Sequence, residues 1–477
     1  MILAATAILV QPVSAAENVR KPNIIIILTD DQGYGDLSCY GSPNISTKNI
    51  DRLSAGGMRF TNFYAAPFCA PSRSQLMTGC YPPRVGMARN PNPNSVFGLN
   101  TNEITIAELL KKQGYSTMCI GKWHLGDAPE FLPTRQGFDT YFGLPFSNDM
   151  WLYHPRMTQG KNEDSLMLAI RERAAYTGYA GQGSYYPPGQ GFTNDLPLML
   201  NENVIEKNPD LRQLTTRYTE AAISFIDQQH DNPFFLYFAH AMPHVPLFVS
   251  QKYAGKSLRG LYGDAVMEID WSVGRIMDRL KEHSIDDQTL IIFTSDNGPW
   301  LAYGIDGGSA GPLREGKGSV YDGGFRVPAI FRWPGKIAPG QSSNALAGNL
   351  DLFPTIAFLV GAVIPHDRKI DGVDLWPLLS GETQKSPHQY FHYFGGSSDG
   401  KVNYMGIRDE RWKLLIKITS DGEIINRELY DLNSDVSERF NRLGFFPEVA
   451  EKLNIAAKQF YGELSRNLRP AGYIKTE

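Results

Sequence analysis

Cysteine is scarce: 477 residues contain four, at positions 39, 69, 80 and 119. Four are too few for a disulfide scaffold, so a hydrophobic core must carry the fold. If residue 69 is chemically converted, the other three form at most one bridge. No Cys/His set stands at zinc-ligand spacing. Neither charge sign dominates: 46 Lys and Arg against 50 Asp and Glu give a formal net charge of −4. That balance argues against a nucleic-acid partner and leaves any affinity for anions to a local basic pocket. Past the first 16 residues no stretch is long and apolar enough to span a membrane. Internal repeats and low-complexity tracts are also missing, which excludes solenoids and disordered arrays.

What is present begins with an apolar run, Met1 to Val10, followed by the small residues Val13, Ser14, Ala15 and Ala16. Residues 1–16 read as a secretory signal cut after Ala15 or Ala16, although the usual positive start is lacking. The expected location is therefore periplasmic or secreted. Beyond it, short runs of Ile, Val, Phe and Leu alternate with helical segments. That alternation marks an α/β fold with a large, mostly parallel sheet covered by helices on both faces. Strands are expected at 23–28, 116–120, 233–239, 289–294 and 327–331. Helices are expected at 211–229 and 264–283, with a capping box from Thr105 to Glu108 opening another. Near residue 380 the texture changes to short strands at 390–394, 404–407 and 412–416, then a turn at 429–432 and a helix over 447–464. The expected division is a main domain at 17–380 and a small C-terminal α+β subdomain at 381–477.

The segment Phe68-Cys69-Ala70-Pro71-Ser72-Arg73, closing at Gly79, carries the most chemistry. Pro71 suits the first turn of a helix and Gly79 its C-terminal stop. Cys69 then sits at a helix N-terminus, where free N–H groups favour an anion. Arg73 lies one turn along with a planar fork suited to oxyanions.

Ligands of open α/β sheets bind beyond the carboxyl ends of the strands. The first expected strand ends in Asp30 and Asp31, and the next leads to Lys122 and His124. The third leads to His240 and His244, and the fourth runs into Asp296 and Asn297. Asp30, Asp31, Asp296 and Asn297 offer only oxygen donors, the preference of a hard cation such as Ca²⁺ or Mg²⁺. Each pair taken alone also suits an ordinary turn. Adjacent acids at the end of a buried strand need neutralising, which favours the cation.

Five segments occur here in the order found in the type I, formylglycine-dependent sulfatases. They are Thr29-Asp30-Asp31, the Cys69-to-Arg73 run, Gly114-Tyr115 through Lys122-Trp123-His124, Asp296-Asn297-Gly298 and Gly316-Lys317-Gly318. The chain resembles that family over roughly residues 22–335. Leu429 to Leu432 is similar to its C-terminal part, and Phe68 is bulkier than the residue usual before the cysteine. The resemblance implies an alkaline-phosphatase-like fold and a Ca²⁺ ion, rather than Mg²⁺, held by Asp30, Asp31, Asp296, Asn297 and residue 69. It implies that Cys69 is the precursor of a formylglycine nucleophile, made by a formylglycine-generating or anaerobic sulfatase-maturing enzyme. Arg73 and Lys122 would steady the nucleophile and sulfate, and His124 would be a base. His244 and Lys317 would bind sulfate and assist the departing alcohol, with Ser147 adding a hydrogen bond.

Between residues 146 and 200 an aromatic, glycine-rich insertion interrupts the sheet pattern. Its Trp151 and His154 are candidates for holding a sugar. The expected substrate is a sulfated galactose or N-acetylgalactosamine unit of an algal galactan such as carrageenan, or of a glycosaminoglycan. A broad arylsulfatase, a phosphate or phosphonate ester hydrolase, and a non-enzymatic binder of sulfated glycans are the alternatives.

Overall fold

The computed structural model describes residues 21–151, 165–176, 192, 194–397 and 402–474. The expected signal segment and His154 lie outside them. An 11-stranded sheet forms the centre. Its middle is five parallel strands, in the spatial order Thr289–Ser295, Asn23–Thr29, Phe234–Ala239, Ser116–Lys122 and Thr140–Leu144. The first of these in sequence, Asn-Ile-Ile-Ile-Ile-Leu-Thr, is apolar on both faces because helices cover both. Ile24, Ile26 and Leu28 enter one apolar cluster, Ile25 and Ile27 the other. Burying each such side chain contributes roughly 1.5–3 kcal/mol. The helices Leu214–Gln229 and Leu261–Glu282 pack on the second cluster.

Antiparallel pairings flank this parallel core. Arg326–Arg332 joins Thr289–Ser295 to Met58–Tyr64 on one side, antiparallel to both. On the other side Pro197–Leu200 and Asn203–Lys207 extend the sheet as a hairpin. The expected insertion over 146–200 therefore ends inside the sheet. The hairpin's outer strand is largely exposed, so it lacks the continuous apolar run that betrays the central strands. The expected helix at 211–229 opens with a single 3₁₀ turn, Leu211–Gln213. Leu429 to Asp431 are not a turn but the end of the strand Ile424–Asp431.

That strand closes a four-stranded antiparallel C-terminal sheet, with Phe391–Phe394, Tyr404–Arg408 and Trp412–Ile418, covered by the helix Pro447–Arg466. A buried ionic junction ties this sheet to the segment that follows the central strands. The Lys413 ammonium lies 2.9 Å from Asp322 Oδ1 and 2.7 Å from Glu438 Oε1, all three side chains being fully buried. Glu438 Oε2 accepts the Asp322 backbone N–H at 2.7 Å, and Asp322 also accepts the Tyr64 and Tyr393 hydroxyls. Burial pushes the Glu438 carboxyl up to about 7, against the pull of Lys413. All four cysteines are free thiols. No helix among the described residues is long and apolar enough to cross a membrane.

Candidate active site

The carboxyl ends of the parallel strands converge on the N-terminus of one helix, Cys69–Thr78. Phe68 is its extended N-cap and Gly79, in the left-handed region, its stop. Every residue of this helix is buried, and Cys69 is 1 % exposed. The Cys69 thiol stands 3.4 Å from Asp30 Oδ1 and 3.9 Å from Asp31 Oδ1. Lys317 Nζ reaches the same sulfur at 3.4 Å. Burial pushes the thiol's pKa well up, against the pull of Lys122 and Lys317. A thiol held protonated is a poor nucleophile.

Lys122 Nζ lies 2.5 Å from Asp30 Oδ2 and donates to Ser147 Oγ at 3.1 Å. Arg73 lays its fork on Asp296, with Nε at 3.0 Å and Nη2 at 2.8 Å, and donates through Nη1 to the Lys122 carbonyl. Lys317 Nζ contacts both Asp31 oxygens, at 2.8 and 2.9 Å, and lies 3.1 Å from His244 Nε2. Burial opposes the charge on Lys122 and Lys317, but Asp30, Cys69 and Asp296 together on the first, and Asp31, Cys69 and Asp30 together on the second, outweigh it, so both pKa values stand above the lysine norm. Asp296 goes the other way: burial and the Asp30 charge raise it despite Arg73. His124 is fully buried, and neither ring nitrogen has a hydrogen-bond partner among the described residues. Burial, then Lys122 and Arg73, hold its pKa well below the usual imidazole value, so the ring is neutral and able to accept a proton.

Local backbone geometry is specialised at these positions. Asp31 (φ 60°) and His124 (φ 61°) both occupy the left-handed region, a strain of about 1–3 kcal/mol each that non-glycine residues carry mainly at functional sites. Gly121, with φ +99°, precedes Lys122, and a Cβ there would stand 1.7 Å from the Ala239 carbonyl oxygen. Only glycine lets the strand approach its neighbour while turning Lys122 and His124 to the edge. At Gly298 a Cβ would meet the Gly323 carbonyl at 1.8 Å, so glycine there allows the chain after Asn297 to fold against the segment that returns Lys317.

Asp30, Asp31, Cys69 and His244 bring one ligand atom each within 4.8 Å of one another. His244, rather than the expected Asp296, joins this tight group, because Asp296 is engaged by Arg73 and by the Asp31 backbone N–H at 3.1 Å. Asn297 donates its amide to Asp31 Oδ1 at 2.7 Å, while its own Oδ1 is buried with no hydrogen-bond partner among the described residues. An orphaned amide oxygen beside three carboxylates fits a hard divalent cation.

A cavity of about 170 Å³ opens above residue 69, lined by Cys69, His124, Ser147, His244 and Lys317 among the expected residues. Trp151 is not on its wall: the indole is 1 % exposed and packed into the apolar core beneath. Asn90, Asp149 and Trp300 line the cavity and went unmarked in the sequence. Position was the available signal for the last two, since Asp149 follows Ser147 by two residues and Trp300 follows Gly298 by two.

The arrangement joins a buried residue at a helix N-terminus, oxygen ligands for a cation, and an arc of Arg, Lys and His. It can hold a tetrahedral anion against a nucleophile and hand a proton to the group that leaves. Comparison with known proteins agrees. The sulfatase family profile matches residues 22–362, and the profile described as N-sulphoglucosamine sulphohydrolase, C-terminal, matches residues 316–458. Human arylsulfatase A is 40% identical over 461 residues, covering 91% of this chain and 86% of its own. Mouse N-acetylgalactosamine-6-sulfatase is 41% identical over 396 residues, covering 80% and 71%. Among solved structures, Ps i-CgsB superposes with a TM-score of 0.77 at 31% identity over 96% of each chain. The same protein is also solved with k-i-k-neocarrahexaose bound. Fold, site and relatives agree that the chain belongs to the sulfatase family and is a sulfuric ester hydrolase.

Proposed function

We propose that this enzyme removes sulfate from a sugar of a sulfated glycan, a carrageenan-type galactan or a glycosaminoglycan, using formylglycine made from Cys69 and a bound calcium ion. One observation carries the reading. The Cys69 sulfur sits at the focus of Lys317 and two carboxylates, with burial holding it as an unreactive thiol. A cysteine so placed contributes little as a thiol and much as the precursor of another group. The sugar preference draws support from the likeness to N-acetylgalactosamine-6-sulfatase and to a protein solved with neocarrahexaose.

Formylglycine, as its hydrate, supplies an oxygen nucleophile toward sulfur. Calcium would be held by Asp30, Asp31, Asp296, Asn297 and residue 69, and would supply positive charge to offset that of the sulfate. The rest falls to the chain's own groups. Lys122, fixed by Asp30 and Ser147, and Arg73, fixed by Asp296, neutralise sulfate in a site with little water, where charges count most. Lys317, cationic through Asp31, and His244 face the departing alcohol and deliver its proton. His124, kept neutral, accepts a proton as the site resets. We assign these groups to a main domain at 17–380 with a C-terminal subdomain at 381–477, in a protein exported to the periplasm or beyond.

Intact-peptide mass spectrometry across residue 69 of protein from the native host tests the nucleophile. An aldehyde-bearing residue is expected, and an unmodified thiol in active protein would overturn the reading. A panel of monosulfated oligosaccharides, run beside matched phosphate and phosphonate esters, tests the substrate. Faster phosphate or phosphonate turnover would replace sulfate with those esters.

A further inference from the structure

We propose that Trp300 and Asp149 form the subsite for the leaving alcohol and select a sugar ring bearing free hydroxyls beside its sulfate. The proposal rests on the sulfatase reading and names the part of the substrate that the anion-binding groups leave undefined.

Both residues line the cavity above residue 69. Trp300 is joined directly to the proton-delivering pair. The Lys317 ammonium lies 4.4 Å from its ring centroid, a cation–π distance, and the His244 ring meets it edge-on at 5.5 Å. Lys317 reaches residue 69 at 3.4 Å, so the indole stands one side chain away from the reacting atom. A group leaving toward Lys317 and His244 therefore passes against the indole. An indole face complements the C–H face of a pyranose.

The tryptophan is held firmly. Tyr303, 2 % exposed, packs edge-on against it at 4.8 Å. The adjoining Pro299 carbonyl accepts the Lys317 and Leu301 backbone N–H groups, at 2.9 and 3.1 Å. At the far end of the same loop Asp306 is gripped by Arg173, with Nε at 2.8 Å and Nη2 at 2.5 Å. Arg173 belongs to the helix Ser165–Tyr176, so the insertion is clipped to the loop that bears Trp300.

Asp149 supplies the chemical selectivity. It is 5 % exposed and follows Ser147, the hydroxyl that steadies Lys122. Its carboxyl oxygens are hydrogen-bond acceptors, so the groups they can hold on a substrate are hydroxyls. At about 170 Å³ the cavity is smaller than the roughly 300–1,000 Å³ of whole-ligand pockets, so it takes the sulfate and the ring that bears it.

The test compares kcat/KM for a monosulfated galactose and for 4-nitrophenyl sulfate, whose leaving group is planar and has no second hydroxyl. The wild-type protein and the Asp149→Asn, Asp149→Ala and Trp300→Phe variants are used, with formylglycine at residue 69 verified in each. Losing a hydrogen bond to a substrate hydroxyl predicts about a tenfold loss or more on the sugar for Asp149→Ala, and a smaller loss on the aryl sulfate. Asp149→Asn, which keeps the shape and one acceptor oxygen, should lose less than Asp149→Ala on the monosulfated sugar. Trp300→Phe should raise KM for the sugar more than it lowers kcat. Equal losses on both substrates, or no loss on the sugar, overturn the subsite. Aryl sulfate turnover by a wild-type enzyme that ignores every sulfated sugar overturns it too, leaving the sulfatase reading intact. A matured wild-type protein that cleaves neither ester overturns both.

Discussion

The ionic junction beneath the Lys317 loop gives a quantitative prediction. Lys413, Asp322 and Glu438 are fully buried, and Lys413 is the cation placed between the two acids. Asp322 has further cations nearby, Arg326 at 3.7 Å and Arg408 at 4.0 Å, and its carboxyl is held well below the usual range against the cost of burial. Removing Lys413 strips Glu438 of its contact ion, so the buried carboxyl must either stay charged alone or take up a proton, and losing one partner of a buried pair costs about 3–5 kcal/mol. Lys413→Met should therefore lower stability by that order in urea unfolding at pH 7, followed by tryptophan fluorescence. Lys413→Met with Glu438→Gln removes both members, so most of the loss should return, because neutralising a whole pair is close to balanced. Catalysis should suffer as well. Glu438 holds the Asp322 backbone, and Arg314, at the start of the Lys317 loop, donates to the Glu438 carbonyl at 2.7 Å. A displacement near 1 Å in that loop would lower kcat about tenfold or more. A single variant within about 1 kcal/mol of wild type, or a double variant costing the sum of the singles, would refute the reasoning.

Two further outcomes are expected. Calcium added to chelator-treated protein should raise the unfolding midpoint, by an amount equivalent to about 2.7 kcal/mol at a hundredfold excess over Kd, and Asn297→Ala should abolish most of that shift. A calcium-independent midpoint would count against the ion site. Asp270 caps the helix Lys48–Ala55 by accepting the Asn49 and Ile50 N–H groups, and burial raises its carboxyl from 3.8 to about 6. Between those values the folded chain keeps a proton that the unfolded chain has lost. Stability from this group thus falls as pH rises from 4 to 6, by at most about 3 kcal/mol, and is level above. Asp270→Asn should flatten that part of the profile, and parallel profiles would reject it.

Much of this was legible in the sequence, for physical reasons. Four isoleucines in a row after Asn23 announce a strand buried on both faces, and the polar residues just past such strands must lie at one edge. The Thr105–Glu108 capping box is present as read, with Glu108 N–H to Thr105 Oγ1 at 3.1 Å and Thr105 N–H to Glu108 at 2.8 Å. What stayed hidden depends on contacts distant in sequence. The hairpin at 197–207 reads as loop because its outer strand faces water. Trp151 reads as a sugar platform, yet its indole anchors the loop to the core. Asp149 and Trp300 gain meaning only where the cavity draws them together. Lys413 reads as a surface lysine until Asp322, 91 residues away, is brought beneath it.

The near-complete burial of Cys69 bears on the order of events in the life of the chain. Its helix is buried along its whole length, residue 69 meets a cavity of only about 170 Å³, and the groups around it come from positions as far apart as Asp30 and Lys317. An enzyme that oxidises this side chain cannot reach it once the parallel strands have closed. On the proposed reading, maturation must act on an open chain, in a race against folding, and the yield of active enzyme depends on how slowly those long-range strand pairings form.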